Sequence, residues 1–183
     1  KKAFDNLFEN RAKMNAYTRA LTTLAAVHFK NTQQTQILLD NLENGVKWDK
    51  APDQSIIQKG GGDATASATA HWGEDGVYWR WSEGGVEATA WGLRALLAAN
   101  PKHRLVEPVT QWLIKNRRGA QWSNTRDTAM VILALSDYLQ KSGELKQSFS
   151  YVVTVNGQKV VERQVDPTNI LSAPSVFSID EKY

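Results

Sequence analysis

The sequence has 183 residues, of which 42% are hydrophobic and 22% are charged, a balance typical of globular proteins that excludes an intrinsically disordered chain. A formal net charge of +3, with scattered basic residues, gives no indication of nucleic acid as a partner. No apolar run reaches the length of a membrane-spanning helix, so we expect no direct membrane span. Because the chain contains no cysteine, it forms no disulfide and no thiol-dependent site of its own.

The N-terminal part of the chain predicts three helices. A short helix at 3–8 precedes an apolar helix, which Asn15 caps and which ends near residue 28. The next helix, at 34–43, has one apolar and one polar side and ends at Gly45. The apolar helix is therefore expected to lie inside and the amphipathic one outside.

Helical periodicity is lost between residues 48 and 82, where four of the seven tryptophans lie. The stretch HWGEDGVYWRW predicts a β-hairpin that turns at 74–76. Two interpretations of the tryptophans remain open: they cover one end of the helices, or they form an interaction surface with neighbouring carboxylates. The residues of this candidate surface are Trp72, Trp79, Trp81, Glu74 and Glu87.

Three consecutive helices are predicted between residues 84 and 139. The first is apolar on nearly all sides, and the second is amphipathic, with Val109 and Trp112 on its inner side. The third contains seven consecutive apolar residues at 129–135, so we expect other helices to surround it. The inner, outer, inner alternation is the pattern of an α/α toroid, in which a ring of outer helices encloses a ring of inner ones.

The C-terminal part has the alternating pattern of β-strands. Residues 149–155 alternate with a period of two, and Asn156-Gly157 predicts a tight type I′ turn. The chain then returns as a second strand at 159–165, and a third strand is expected at 175–179.

The predicted helices carry a family resemblance. The segments VEATAWGLRALL and VTQWLIKNRRGAQWSNTRDTAMVILALSDY resemble the last helices of the thioester-containing domain of the α2-macroglobulin and complement family. The pattern in that family is VEATxYxLLALL followed by VxWLxxQRxxxGGxxSTQDTxxAxxALxxY. The resemblance covers residues 15–138, with departures at 119–122 and 124–127.

The resemblance implies a mainly α fold of the terpenoid cyclase-like type. We expect a partial α/α toroid, about half of an α6/α6 ring, with a short C-terminal β segment. Residues 1–145 would form the C-terminal half of the toroid, with the tryptophan-rich insertion at 48–82. Residues 146–183 would begin a CUB-like β-sandwich.

The resemblance also implies a function. The family captures targets through a thioester between a Cys and a Gln side chain, which a chain without cysteine does not form. We therefore interpret the chain as a non-catalytic fragment of an α2-macroglobulin-like protein, a scaffold for protease trapping and inhibition. The parent either carries a thioester upstream or belongs to a branch without one. The implied partners are the parent's other domains and, through the parent, target proteases. A homodimer that forms through unpaired β-edges is a further expectation. The implied location is extracellular or periplasmic.

Neither a metal nor a cofactor is expected. The three histidines, His28, His71 and His103, lack the spacing of a metal-ligand set. In complement-like relatives a histidine assists transfer of the thioester acyl group, but that histidine precedes the region of resemblance. We therefore assign no catalytic role to these residues.

Two alternative functions remain open. Toroids of this class include glycan-active enzymes, and Glu74, Asp75 or Glu87 would then serve as acid and base. Alternatively, the tryptophans bind a carbohydrate or a protein without chemistry. Substitution of Glu87 by Gln would abolish activity in the first case and leave binding intact in the second.

Overall fold

The chain folds into two units, residues 1–141 and residues 142–183. The first unit is mainly helical in its described part. The computed structural model describes residues 2–49, 68–73, 84–170 and 172. Its helices are α1 Lys2–Glu9, α2 Ala16–His28, α3 Thr32–Asn44, α4 Gly85–Ala99, α5 Val106–Lys115 and α6 Thr125–Ser142. None of the helices in these described ranges is long and apolar enough to cross a membrane.

Asparagine side chains begin three of the helices. The Thr18 N–H donates to Asn15 Oδ1 at 2.9 Å, which confirms the predicted cap of α2. Asn31 caps α3 and Asn124 caps α6 in the same way, at 3.1 and 2.9 Å. Each cap satisfies a backbone N–H that has no partner within its helix.

Helix α4 lies at the centre of the first unit. Eleven of its 15 residues are buried, as expected for a helix that is apolar on nearly all sides. It packs against α2 and α5, while α3 packs mainly against α2. This alternation of inner and outer helices confirms the predicted fold class, a partial α/α toroid.

The buried residues of α2, which packs against α3 and α4, are all small. They are Ala20, Thr22, Thr23 and Ala26. The two threonine hydroxyls donate to backbone carbonyls one turn earlier, at 2.9 and 2.8 Å, and so remain satisfied in the core. The larger apolar residues Leu21 and Leu24 of this helix are only half-buried.

Helix α6 differs from its prediction. Its seven consecutive apolar residues predicted a helix surrounded by others, but only Asp127, Val131 and Ala134 are buried. The side chains of Ile132 and Leu133 are 56% and 46% exposed. The prediction is wrong for the described chain because no described element covers this side of α6.

A small β-ribbon joins the segment after α3 to the segment before α4. Strand β1, Lys47–Asp49, pairs antiparallel with β2, Thr69–His71, and Trp48 lies opposite Ala70. The sequence pattern did not predict this ribbon. The hairpin predicted to turn at 74–76 lies outside the described residues.

The second unit contains a β-hairpin. Strands β3, Phe149–Val155, and β4, Gln158–Val165, pair antiparallel, with a bulge after Val153. Asn156 and Gly157 both have positive φ, 51° and 84°, which confirms the predicted type I′ turn. The third strand, predicted at 175–179, lies outside the described residues.

Candidate functional site

Trp72, predicted to belong to an interaction surface, is a core residue. Its side chain is 0% exposed, and its indole N–H donates to the Leu42 carbonyl at 2.8 Å. Its backbone N–H donates to Thr89 Oγ1 at 3.0 Å, and the Thr89 hydroxyl returns a bond to the Trp72 carbonyl at 3.2 Å. The ring lies directly against Gly92 of α4. The surface prediction is wrong for Trp72, because an indole enclosed by α3 and α4 offers no face to a partner.

Glu87 is also buried, in the first turn of α4. Its side chain is 6% exposed and its Oε1 lies 2.8 Å from Arg126 Nη2, at the start of α6. The ion pair gives this buried carboxylate a structural partner. Glu74, Trp79 and Trp81 lie outside the described residues, so their part in the predicted surface stays a prediction.

The three histidines lie in different surroundings. His28 is exposed at the end of α2, and His71 is 5% exposed on β2. His103 accepts a bond from the Leu105 N–H through Nδ1 at 3.3 Å, and its Nε2 lies 3.3 Å from Glu43 Oε2. Within the ranges that the structure describes, no three side chains of metal-binding type lie close enough to hold an ion.

Asp127 belongs to the capping arrangement of α6. Its backbone N–H donates to Asn124 Oδ1 at 2.9 Å, while Asn124 Nδ2 donates to Asp127 Oδ2 at 3.0 Å. Burial raises the pKa of the Asp127 carboxyl above its ordinary value, although hydrogen bonds from Ser123 and Asn124 and the charge of Arg126 act against it. These contacts give Asp127 a structural role at a helix start.

A cleft of about 440 Å³ lies where β1 and β2 meet the C-terminal end of α5 and the start of α4. His71 and Trp112 line it, and their rings stack at 4.5 Å with an angle of 13° between them. Both residues are buried, at 5% and 7% exposure, whereas Trp48 on the wall is 41% exposed. Among its described lining residues, the cleft therefore presents one accessible indole beside a buried, stacked aromatic pair.

Charged side chains line the other side of this cleft. Lys115 Nζ lies 3.1 Å from Asp49 Oδ2, so these two charges largely neutralise each other. Arg118 also lines the cleft, and its backbone is held in a tight turn by hydrogen bonds to and from Gln121. In the described part of its lining, the cleft thus combines aromatic rings with the positive charge of Arg118.

Sequence patterns alone did not identify this cleft. The basic group Lys115, Arg117 and Arg118 was visible, but its simplest interpretation was a solvated helix end. Trp48 and Lys115 come together only through tertiary structure, since 66 positions separate the ion-paired Asp49 and Lys115.

Comparison with known proteins identifies one family. A family model described as A-macroglobulin TED domain matches residues 1–138, most of the chain. Among curated proteins, no match to the chain is found.

Proposed function

Because this chain belongs to the family of A-macroglobulin TED domains, the thioester-containing domains, we propose that it forms the C-terminal half of the helical ring in an α2-macroglobulin-like protein. In that parent it acts as a non-catalytic scaffold for protease trapping. Upstream helices of the parent complete the ring, and the parent acts outside the cell or in the periplasm.

The exposed side of α6 is the observation that carries this proposal. Ile132 and Leu133 are 56% and 46% exposed on a helix whose apolar run is typical of an inner position. Exposed apolar side chains grouped on one face indicate a surface that a partner covers. The proposal places the first half of the ring on this face.

The structural roles of two buried carboxylates, Glu87 and Asp127, support a scaffold function more than an enzymatic one. Glu87 is held by Arg126 at 2.8 Å, and Asp127 is part of a helix cap. A general acid or base must reach its substrate, which a buried and paired carboxylate does poorly. With no cysteine in the sequence, the chain supplies no thioester thiol, so its contribution to trapping is mechanical.

We propose that residues 146–183, which lie within the second unit, begin a CUB-like β-sandwich. Two-stranded hairpins are marginally stable alone, so β3 and β4 require further strands or a covering surface. We assign those strands to the parent, with a second copy of the chain as the alternative. The division of the chain at 145 and 146 belongs to the same proposal.

Charge substitution on α6 tests the ring. In the 183-residue chain, Ile132→Arg should change the free energy of unfolding by less than about 0.5 kcal/mol, as expected for a surface position. In the full-length parent, where upstream helices would bury this site, the same change should cost about 2 kcal/mol or more.

Ile114→Arg is the matched control, because Ile114 is 55% exposed but lies on the outer helix α5. It should be neutral in both proteins, as measured by urea unfolding. If Ile132→Arg changed the free energy of unfolding by the same small amount in the chain and in the parent, the proposed ring would be contradicted.

Protease trapping is tested on the parent itself. A trapped protease should keep its activity on a small peptide substrate and lose activity on a large protein substrate. Loss of both activities, or of neither, would reject trapping while leaving the ring arrangement to be judged by the α6 variants.

A further inference from the structure

We propose that the cleft between β1, β2 and α5 binds an acidic saccharide, with a uronic acid ring against Trp48 and its carboxylate on Arg118. This inference goes beyond the scaffold role and does not depend on it. The residues that line the cleft include Trp48, Asp49, His71, Trp112, Lys115 and Arg118.

The aromatic side of the cleft includes an accessible tryptophan on a paired strand. Trp48 is 41% exposed, yet its backbone is fixed by the pairing of β1 with β2 opposite Ala70. The rings of His71 and Trp112, which also line the cleft, stack on each other at 4.5 Å and are both buried. The face of an indole carries negative charge density, which attracts the weakly positive C–H groups of a pyranose ring.

Charge in the cleft favours an acidic sugar over a neutral one. Asp49 is engaged by Lys115 at 3.1 Å, so its carboxylate repels an anion less than a free one would. Arg118 lines the cleft, and none of the salt bridges found among the described residues involves it. Its guanidinium presents a planar fork of N–H donors. A uronate carboxylate matches this fork through two parallel hydrogen bonds.

The dimensions of the cleft favour a small ligand over a protein surface. A concave space of about 440 Å³ lies within the range of small-molecule sites. A stable protein partner would instead need a buried area of roughly 800 Å² on each side. A sugar unit that contacts the Trp48 indole and the Arg118 guanidinium uses side chains that the described lining offers.

Calorimetric titration of the 183-residue chain with trigalacturonate at low ionic strength tests the proposal. Binding is expected, whereas the neutral trisaccharide maltotriose should bind at least about tenfold more weakly, because it lacks the charge-assisted bonds. Inorganic sulfate, which has charge but no ring to stack, should also bind at least about tenfold more weakly.

Variants locate the binding in the cleft. Arg118→Gln should weaken trigalacturonate binding at least about tenfold, while the neighbouring Arg117→Gln, which does not line the cleft, should change it less than about twofold. Trp48→Ala should abolish measurable binding, and Trp48→Phe should retain part of it. Thermal unfolding of each variant confirms that the fold is intact.

Several results would overturn the proposal. They are an absence of trigalacturonate binding, equal binding of maltotriose or sulfate, and equal losses from Arg117→Gln and Arg118→Gln. Equally tight binding of an acidic peptide, unaffected by Trp48→Ala, would assign the cleft to a protein partner instead.

Discussion

At Gly92, an ideal Cβ atom would lie 2.6 Å from two ring carbons of Trp72. Alanine favours a helix more than glycine by about 1 kcal/mol, but here the clash with a ring enclosed in the core outweighs that gain. We predict that Gly92→Ala lowers the free energy of unfolding by about 1–3 kcal/mol, as measured by urea denaturation.

Gly45→Ala serves as the control for this prediction. Gly45 has a φ of −94°, and a Cβ there would meet its nearest atoms at an ordinary 3.5 Å. Its stability should change by less than about 0.5 kcal/mol. Equal effects at Gly45 and Gly92 would show that the ring of Trp72 does not restrict α4.

Asp127 should make the stability of the chain depend on pH. Burial raises its folded pKa above the ordinary value of 3.8, so the folded state prefers the protonated carboxyl. Ionisation therefore costs stability: the cost is absent below the unfolded pKa and grows as pH rises through the folded pKa.

The variant Asp127→Asn removes this ionisation and keeps an oxygen that accepts from Asn124. Relative to the variant, the unsubstituted 183-residue chain should lose stability between about pH 3 and neutral pH. Denaturant unfolding at both pH values measures the difference. If the unsubstituted chain instead became more stable than Asp127→Asn as the pH rises, the expected effect of burial on the Asp127 carboxyl would be contradicted.

Single residues were predictable where the determining contacts are local. Asn15 caps α2 by accepting from Thr18, three positions away, and Gly157 takes a φ of 84° within a two-residue turn. Trp72 depends instead on Leu42 and Gly92, residues that sequence spacing does not connect to it. An indole in a tryptophan-rich stretch therefore gave no sign of whether it faced solvent or the core.

At the scale of elements, the Glu87 and Arg126 pair joins the first turns of α4 and α6. Its distance is 2.8 Å, with Glu87 6% and Arg126 37% exposed in their side chains. Because one partner is buried and the other is partly solvated, we expect a coupling energy of about 1–2 kcal/mol.

A double-mutant cycle with Glu87→Gln and Arg126→Gln measures this coupling by urea unfolding. Arg94 and Asp137 form a second α4–α6 contact at 2.7 Å, whose disruption should be additive with that of the first pair. Additive losses from the Glu87 and Arg126 substitutions would show that the pair contributes nothing to joining the helices.

The presence and order of the helices and the turn between β3 and β4 followed from the sequence, but the surroundings of α6 did not. A run of apolar residues at 129–135 indicates that a large part of the helix surface is apolar and favours burial. It does not indicate which element provides the cover, or whether that element belongs to the same chain. The β1–β2 ribbon was missed for a related reason, since strands of three residues show no periodicity.

At the scale of the whole molecule, the larger hydrophobic core is contained in the first unit. Its buried residues and the half-buried ones packed on them lie between Ala16 and Tyr138. We predict that a chain truncated after residue 146 keeps its helical circular dichroism and melts within about 4 °C of the full chain, a shift that corresponds to less than about 1 kcal/mol. A larger drop, or loss of the cooperative transition, would show that residues 147–183 are needed for the helical unit to fold.

The contacts of Trp72 also bear on how the helical unit folds. Bundles of neighbouring helices fold quickly when most contacts are local in sequence. Here the indole bond to Leu42 spans 30 positions and the backbone bond to Thr89 spans 17, so both loops must close before Trp72 is held. Helices α3 and α4 are therefore expected to become stable in one concerted step, whose rate reflects the search for a single buried side chain.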